Sequence, residues 1–209
     1  MAAVSERELI SGAVGNIEVW LEYPKSAPQA ILVVAHPHPL YGGTMQNKVV
    51  HTVARAGIAV GAAVVRFNFR GVGKSEGAHD QGEGEQQDLL IVIEWAREQL
   101  VGLPLWLAGF SFGARIALLT WERSVAQQLL LVAPPLRLYS DMDAIERVDL
   151  PWSVLIGDAD EVVSFRAVEA WVGRQLNPPH FEVFPGASHF FHGRLVELRE
   201  VTERLLLQK

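Results

Sequence analysis

The residue whose setting is most typical of catalysis is Ser111. It follows an apolar run at 105–110 and stands in the middle of the sequence Gly-Phe-Ser-Phe-Gly, after which the chain favours a helix. A serine that acts as a nucleophile needs a tight turn between a strand and a helix, which lifts its hydroxyl above the sheet and leaves nearby amides free to hold an oxyanion. The two glycines leave room for such a turn. Because the five-residue pattern also recurs by chance, its meaning depends on the rest of the chain.

Two loops farther along the chain carry the groups that a nucleophilic serine needs. A serine hydroxyl is a poor nucleophile unless a histidine accepts its proton and a carboxylate orients that histidine. The loop at 157–163 reads Gly-Asp-Ala-Asp-Glu-Val-Val, and the loop at 185–193 contains His189. Either Asp158 or Asp160 could approach the imidazole. An aspartate directly after glycine commonly caps its own turn, so the pattern favours Asp160 as the partner of the histidine.

Backbone amides near the serine could stabilise the negative oxygen that forms when a carbonyl is attacked. One donor is expected from Phe112, the residue after the nucleophile. A second is expected from the loop after the apolar run 30–35, which reads His-Pro-His-Pro-Leu. Prolines have no N–H, so this loop offers His38 or Leu40 as the donor.

The chain is organised as an antiparallel hairpin followed by repeated strand–helix units. Residues 16–23 place apolar side chains at alternate positions and, with residues 6–11, predict the hairpin. Later apolar runs lack this alternation, which is typical of parallel strands covered on both faces. They lie at 30–35, 58–67, 103–110, 129–133, 152–156 and 181–184. Helical patterns lie between and after them, at roughly 43–56, 83–100, 112–124, 164–176 and 191–207. Because parallel strands end at one edge of a sheet, the serine, acid and histidine loops should converge there.

Composition limits the classes of function. A chain of 209 residues with 49% hydrophobic side chains fits one α/β domain over residues 1–209. The net charge of -6 is spread without a basic run, which argues against nucleic acid or an anionic membrane as a partner. The absence of cysteine excludes disulfides, thiolate nucleophiles and cysteine-bound zinc. The sequence shows no apolar leader or membrane-spanning run, and a cytoplasmic location is expected.

Together these motifs resemble those of the α/β-hydrolase superfamily over nearly the whole chain. Asp160 stands where that superfamily has the aspartate of a G-x-x-D-x-x-V loop, and His189 stands at the histidine of its G-x-x-H loop. Residues 36–44, 68–75 and 109–114 are similar to those of a bacterial group of small serine hydrolases that have no lid. That group indicates a reaction type better than it indicates a substrate.

The resemblance implies an α/β-hydrolase fold with a mostly parallel eight-stranded sheet, an antiparallel N-terminal hairpin, helices on both faces and no cap domain. It implies catalysis by Ser111, Asp160 and His189 through an acyl-enzyme, with carboxylic esters or thioesters of small soluble molecules as substrates and no metal or organic cofactor. It also favours His38 over Leu40 as the second oxyanion donor, because His38 aligns with the residue after His-Gly in commoner hydrolases. The natural acyl group, the acceptor and the oligomeric state stay open.

The length of one connection predicts an open cleft. Between Pro135 and Pro151 the chain has room for a short helix near 141–147 but not for a cap domain. An uncapped site suits soluble substrates with short acyl groups. Apolar residues in and beside the predicted loops are candidates for its walls. They are Leu40, Tyr41, Phe110, Phe112, Pro135 and Phe190.

Three other interpretations arise from parts of the sequence. His36 and His38, with the acid and histidine loops, could form a divalent-metal site for metal-dependent hydrolysis, but this leaves the glycine-flanked serine without a role. Residues 71–75 resemble the end of a phosphate-binding loop, yet Asn68 stands where that motif needs glycine. A non-catalytic binding protein could also keep the fold, although none of the three catalytic positions is substituted.

Overall fold

The computed structural model describes residues 5–208, which form an eight-stranded sheet covered by helices. The strands are β1 (Ser5–Ser11), β2 (Asn16–Glu22), β3 (Ala30–Ala35), β4 (Ala62–Phe67), β5 (Leu105–Phe110), β6 (Gln128–Val132), β7 (Trp152–Gly157) and β8 (His180–Phe184). The helices are α1 (Lys48–Ala59), α2 (Glu83–Gln99), α3 (Phe112–Ser124), α4 (Ser140–Asp143), α5 (Phe165–Val172) and α6 (Leu195–Leu206). A turn of 3-10 helix at Pro39–Tyr41 follows β3.

The strands lie in the order β1-β2-β4-β3-β5-β6-β7-β8. β1 pairs antiparallel with β2, β2 pairs antiparallel with β4, and all the other neighbours are parallel. The predicted fold class is therefore confirmed. Between β3 and β5 the order along the chain reverses. Ligand sites of open α/β sheets form at such a point, outside the carboxyl ends of the strands.

The central strands supply two cores because alternate side chains point to opposite faces of the sheet. In β3, Ile31 and Val33 belong to the core that includes α2, α3 and α5, whereas Leu32 and Val34 belong to the core that includes α1 and α6. Every residue of β3 is buried. Burial on both faces explains why this strand is an uninterrupted apolar run in the sequence.

Two predicted boundaries differ from the structure for reasons of backbone geometry. The apolar run predicted as a strand from residue 58 begins to pair only at Ala62, because α1 continues into that run and Gly61, with φ of 89°, turns the chain. The last helix, predicted from residue 191, begins at Leu195. Phe191 and Gly193 have φ values of 53° and 72°, which a right-handed helix excludes.

Within the described residues, no cap domain covers the edge of the sheet at which the parallel strands end. The connection from β6 to β7, where such a cap was considered, carries the four-residue helix α4. The predicted lidless arrangement is thus confirmed. Within residues 5–208, every helix is too short or too polar to span a bilayer.

Candidate active site

Ser111 stands on the turn between β5 and α3 with a strained backbone. Its φ of 54° and ψ of -119° lie outside the helical and extended regions. Such strain is typical of a turn from which a nucleophile projects. The flanking glycines make this turn possible, since a Cβ atom at Gly109 would meet the backbone of Gly113, and one at Gly113 would meet that of Ala35.

The imidazole of His189 lies between Ser111 and Asp160. Its Nε2 is 3.1 Å from Oγ of Ser111, and its Nδ1 is 2.8 Å from Oδ2 of Asp160. Both partners of the second contact are almost fully buried, with exposed side-chain fractions of 3% for His189 and 0% for Asp160. The ring of Phe110 packs against the imidazole, with 4.9 Å between the ring centroids. The structure thus brings together the serine, the acid and the histidine that the sequence indicated.

The two aspartates of the β7 loop have different partners. Oδ1 of Asp160 accepts hydrogen bonds from the amides two and three residues later, at 2.9 and 2.7 Å, which leaves Oδ2 for His189. Asp158 instead accepts a hydrogen bond from the amide of Gly186 at 2.6 Å, and so ties the β7 loop to the turn after β8. Of the two candidate acids, Asp160 is the one that contacts the imidazole.

Glu161, the residue after Asp160, was not predicted from the sequence to contact the histidine loop. Its carboxylate accepts a hydrogen bond from the backbone amide of His189 at 3.0 Å. Glu161 therefore holds the main chain of the histidine loop, whereas Asp160 holds the ring. Nothing in the sequence distinguishes this exposed glutamate from the others, because its partner lies in a separate loop 28 residues away.

Two amides beside Ser111 have no acceptor within the described part of the chain, residues 5–208. They belong to Phe112, at the N-terminus of α3, and to His38, in the loop after β3. The amide of Leu40 is engaged, because it donates to Nδ1 of the His38 ring at 3.2 Å. Of the two donors that the loop sequence left open, His38 is the one whose amide remains available.

Both ring nitrogens of His36 form hydrogen bonds with backbone groups of the protein. Nε2 accepts a hydrogen bond from the amide of Phe69 at 3.0 Å, so Nδ1 carries the proton and donates to the carbonyl of Pro37 at 2.6 Å. Complete burial lowers the pKa of His36 to about 4, which keeps the ring neutral. Across residues 5–208, no group of three or more His, Asp or Glu side chains is arranged to hold a metal ion. His36 thus fixes the loop that carries His38.

A cavity of about 440 Å³ opens beside Ser111 and His189. Loops that follow four strands, together with the residue that caps α1, form its wall. The lining residues are Pro37, His38, Tyr41, Gly42, Gly43, Asn47, Ser111, Val162, His189 and Phe190. Two of the candidate wall residues, Tyr41 and Phe190, are among them.

The other four candidate wall residues do not line this cavity. Phe110, Phe112 and Pro135 are buried, Phe110 against the ring of His189 and Phe112 within the core. Leu40 is 67% exposed on the 3-10 turn but does not contribute to the lining. The prediction was wrong at these positions because apolar side chains beside the strand ends pack inward, and the 3-10 turn directs Tyr41, not Leu40, to the cavity.

A second imidazole–carboxylate pair adjoins His38. Nδ1 of His79 lies 2.8 Å from Oε1 of Glu85, in the first turn of α2. The same carboxylate accepts hydrogen bonds from the amides of Asp80 and Gly82, at 3.0 and 2.8 Å. The His79 ring packs against that of His38, with 4.8 Å between centroids. This pair was not predicted from the sequence. One residue lies on a loop and the other on a helix, and their spacing does not indicate a buried contact.

The chain is similar to a described protein family and to a curated protein. Residues 26–145 match the family described as serine aminopeptidase, S33. An uncharacterised protein of Rickettsia prowazekii is 34% identical over 206 residues, a match that covers 94% of this chain and 87% of that protein. The relative spans this chain almost completely, but its name assigns no activity.

Solved structures of serine hydrolases share both the fold and much of the sequence. An α/β serine hydrolase homologue from Coxiella burnetii is 47% identical with a TM-score of 0.93, and the match covers 96% of this chain and 97% of that one. A serine hydrolase without a lid from Xanthomonas campestris is 40% identical with a TM-score of 0.90, over 97% of this chain and 93% of that one. With the family match, these similarities show that the chain belongs to the serine aminopeptidase S33 family of α/β hydrolases.

Proposed function

We propose that this protein is a serine hydrolase that cleaves carboxylic esters or thioesters of small soluble substrates through an acyl-enzyme on Ser111. The observation that carries the proposal is the continuous line of contacts from Asp160 through His189 to Ser111, with distances of 2.8 and 3.1 Å. Both distances lie within the reach that proton transfer between side chains requires. The membership of a hydrolase family supports the same reaction class.

The hydrogen bonds of Asp160 determine which nitrogen of His189 acts as the base. Because Oδ2 of Asp160 accepts a hydrogen bond from Nδ1–H, Nε2 carries no proton in the neutral ring and can accept the hydroxyl proton of Ser111. Oγ then forms a bond to the carbonyl carbon of the substrate as its proton moves to Nε2. The buried carboxylate stabilises the imidazolium that results.

Breakdown of the tetrahedral intermediate gives the acyl-enzyme. The bond from the carbonyl carbon to the leaving oxygen or sulfur breaks, and His189 returns its proton to that atom. Water is the default acceptor in the second half of the reaction. It loses a proton to His189 and adds to the acyl carbon, after which Ser111 departs with that proton. One ester and one water thus give an acid and an alcohol, and a thioester gives an acid and a thiol.

The available amides of Phe112 and His38 are the donors for the oxyanion in both halves of the reaction. Phe112 begins α3, so the positive end of the helix dipole also faces this region. The contact from the Leu40 amide to the His38 ring, and the buried ring of His36, hold the second donor's loop in place. Loss of one donor of this kind lowers turnover by about 10² to 10³-fold.

The cavity favours an ester over the free amino terminus of a peptide. An aminopeptidase has to bind a charged ammonium group, and removing such a group from water is costly unless a carboxylate or another acceptor pairs with it. None of the ten residues that line the cavity, all of them within 5–208, is acidic. The name of the family therefore does not by itself assign a peptidase activity to this chain.

A panel of substrates tests the proposal. Wild type, Ser111→Ala and Ser188→Ala are assayed with p-nitrophenyl acetate, a short-chain acyl thioester and an amino-acid p-nitroanilide. Wild type and Ser188→Ala should hydrolyse the ester and the thioester but not the anilide, and Ser111→Ala should hydrolyse none of them. Ser188 is a matched control, because it adjoins His189 but its hydroxyl lies near His192. Turnover of the anilide alone, or ester hydrolysis that survives in Ser111→Ala, would contradict the proposal.

A further inference from the structure

Asn47 is a polar side chain in the cavity wall that the proposed reaction does not use. Ser111 and His189 react with the substrate, and His38 supplies its backbone amide. The rest of the wall consists of Pro37, Tyr41, two glycines, Val162, Phe190 and Asn47. The side chains of Tyr41 and His38 are polar as well, but Tyr41 is 86% exposed and the His38 ring accepts from the Leu40 amide. The carboxamide of Asn47 is thus a further group able to distinguish a polar position on the bound molecule.

Contacts with α1 determine how the carboxamide of Asn47 is turned. Asn47 caps this helix, and its Oδ1 accepts hydrogen bonds from the amides of Val49 and Val50, at 2.9 and 3.5 Å. Backbone amides can only donate, so the oxygen must face the helix and the NH2 group must face away from it. The cap therefore holds Nδ2 in a fixed orientation, on a residue that lines the cavity.

The two N–H groups of Asn47 Nδ2 remain available to a bound molecule. Within residues 5–208, Nδ2 donates to no protein acceptor, and it is not among the side-chain nitrogens that are both buried and unpartnered. It is thus open to the cavity or to solvent. An all-carbon group that displaced water from this nitrogen would leave a donor unsatisfied, whereas an oxygen at the same place would accept from it.

We propose, on the basis of the hydrolase function above, that the cavity selects esters whose bound chain is apolar but carries an accepting oxygen beyond the reacting carbonyl. The Nδ2–H of Asn47 donates a hydrogen bond to that oxygen, which belongs to an ether, carbonyl or hydroxyl group. Pro37, Val162 and Phe190 contact the apolar part of the chain. Asn47 is in this account a specificity-determining residue, and the substrate class is an oxygen-substituted acyl or alkoxy ester.

Isosteric substrates test the proposal. p-Nitrophenyl hexanoate is compared with isosteres in which an ether oxygen replaces one methylene of the acyl chain, at each successive position from the second methylene outward, because oxygen directly on the carbonyl would make a carbonate. A second series carries the replacement in the alcohol chain of an acetate ester, from the third chain position outward, and is followed by acid release. The two series distinguish the acyl half of the substrate from the alcohol half, and kcat/KM is measured for every member.

Two variants of Asn47 remove the Nδ2–H donors but keep the helix cap. The Asp carboxylate only accepts, and the Ser hydroxyl lies one bond closer to the backbone than Nδ2 does. Asn47→Asp and Asn47→Ser both leave an oxygen to accept from the amides of α1, since Asp and Ser are good caps. In wild type, the ratio of kcat/KM for one oxygen isostere to that for its carbon parent should exceed the ratio in both variants by about three- to tenfold. Gln46→Glu adds a charge at the neighbouring exposed residue, outside the lining, and should keep the wild-type ratio.

Two results would overturn the proposal in distinguishable ways. If wild type hydrolyses the esters but every ratio is the same in wild type, Asn47→Asp and Asn47→Ser, the role of Asn47 is wrong and the hydrolase function stands. If folded wild type hydrolyses no ester of either series, both proposals are wrong. Thermal melting of each variant verifies that the cap still stabilises α1.

Discussion

Residues 5–208 contain two buried imidazole–carboxylate pairs, which differ in what Nε2 of the ring contacts. In each pair, Nδ1 lies 2.8 Å from a carboxylate oxygen, in His189 with Asp160 and in His79 with Glu85. Both carboxylates have exposed side-chain fractions of 0%. Nε2 of His189 faces the hydroxyl of Ser111, whereas Nε2 of His79 has no hydrogen-bond partner within residues 5–208. The pair by itself therefore does not define a catalytic site.

The remaining contacts of the two carboxylates show what each pair does for the structure. Asp160 binds two amides of its own loop and presents one oxygen to the imidazole. Glu85 binds the amides of Asp80 and Gly82 as well as His79, and so closes the loop before α2 onto the first turn of that helix. The first arrangement turns Nε2 of His189 toward the hydroxyl of Ser111. The second fastens a loop whose histidine packs against the ring of His38.

Removing the hydroxyl of Ser111 makes the first pair resemble the second. Ser111→Ala should lower kcat for p-nitrophenyl acetate by about 10⁴-fold or more, because the nucleophile is lost while the pair itself remains. The free energy of unfolding, measured by urea denaturation, should change little. A kcat within tenfold of wild type would mean that another group performs the reaction.

Neutralising each aspartate of the β7 loop in turn distinguishes Asp160, which contacts His189, from Asp158, which joins two loops. Asp160→Asn should lower kcat by about 10⁴-fold, since an amide in place of the carboxylate favours the wrong tautomer of His189. Asp158→Asn is the matched control, because its Oδ1 can still accept from the amide of Gly186. Equal rates in the two variants, measured with one ester, would contradict the assignment of Asp160.

The same substitution in the second pair should act on stability instead of turnover. Glu85→Gln places an NH2 group among three donors, and should lower the free energy of unfolding by about 3 kcal/mol while kcat stays within about tenfold of wild type. Glu83→Gln, at an exposed position of the same helical turn, is the control and should be nearly neutral in urea denaturation. A loss of kcat as large as that of Asp160→Asn would place His79 in the reaction.

A third buried histidine has no carboxylate, and its effect should appear in the pH dependence of stability. Burial lowers the pKa of His36 from 6.5 to about 4 in the folded protein. As pH falls from 6.5 toward 4, the unfolded chain binds a proton that the folded chain does not, so the stability contributed by neutral His36 is present above that window and is lost within it.

The expected loss is up to about 3 kcal/mol. It is measured as the difference in pH slope between wild type and His36→Gln in urea denaturation, because the difference cancels other titrating groups. His36→Gln should have the shallower slope between these pH values. Equal slopes would show that His36 is protonated as easily in the folded chain as in the unfolded one.

The fold and the contact between Ser111, His189 and Asp160 were predictable because they depend on patterns that are local in sequence. Strands such as β3 are buried on both faces and therefore appear as continuous apolar runs. The glycines around Ser111 mark the turn on which it stands. Asp160 and His189 follow strands that end at the same edge of the sheet, so the topology brings them to the serine without any further information.

The contacts of the two glutamates and the residues of the cavity wall were not predictable. They depend on how loops that are distant in sequence pack together. In the sequence, nothing distinguishes Glu161 and Glu85 from the other glutamates of the chain. Only the folded loops show which backbone amides these two carboxylates bind. Phe110 and Leu40 were expected in the cavity wall, but one packs under the imidazole and the other faces solvent. Asparagine is a common helix cap, and that preference does not indicate that Asn47 also lines the cavity.

The central claim is that His189 activates Ser111 as a nucleophile. Its most direct test is intact-mass spectrometry after treatment with a fluorophosphonate, on wild type, Ser111→Ala and Ser188→Ala. The account predicts a single adduct that maps to Ser111 in wild type and in Ser188→Ala, and no adduct in Ser111→Ala. An unmodified wild-type protein that is folded, or an adduct that persists in Ser111→Ala, would contradict it.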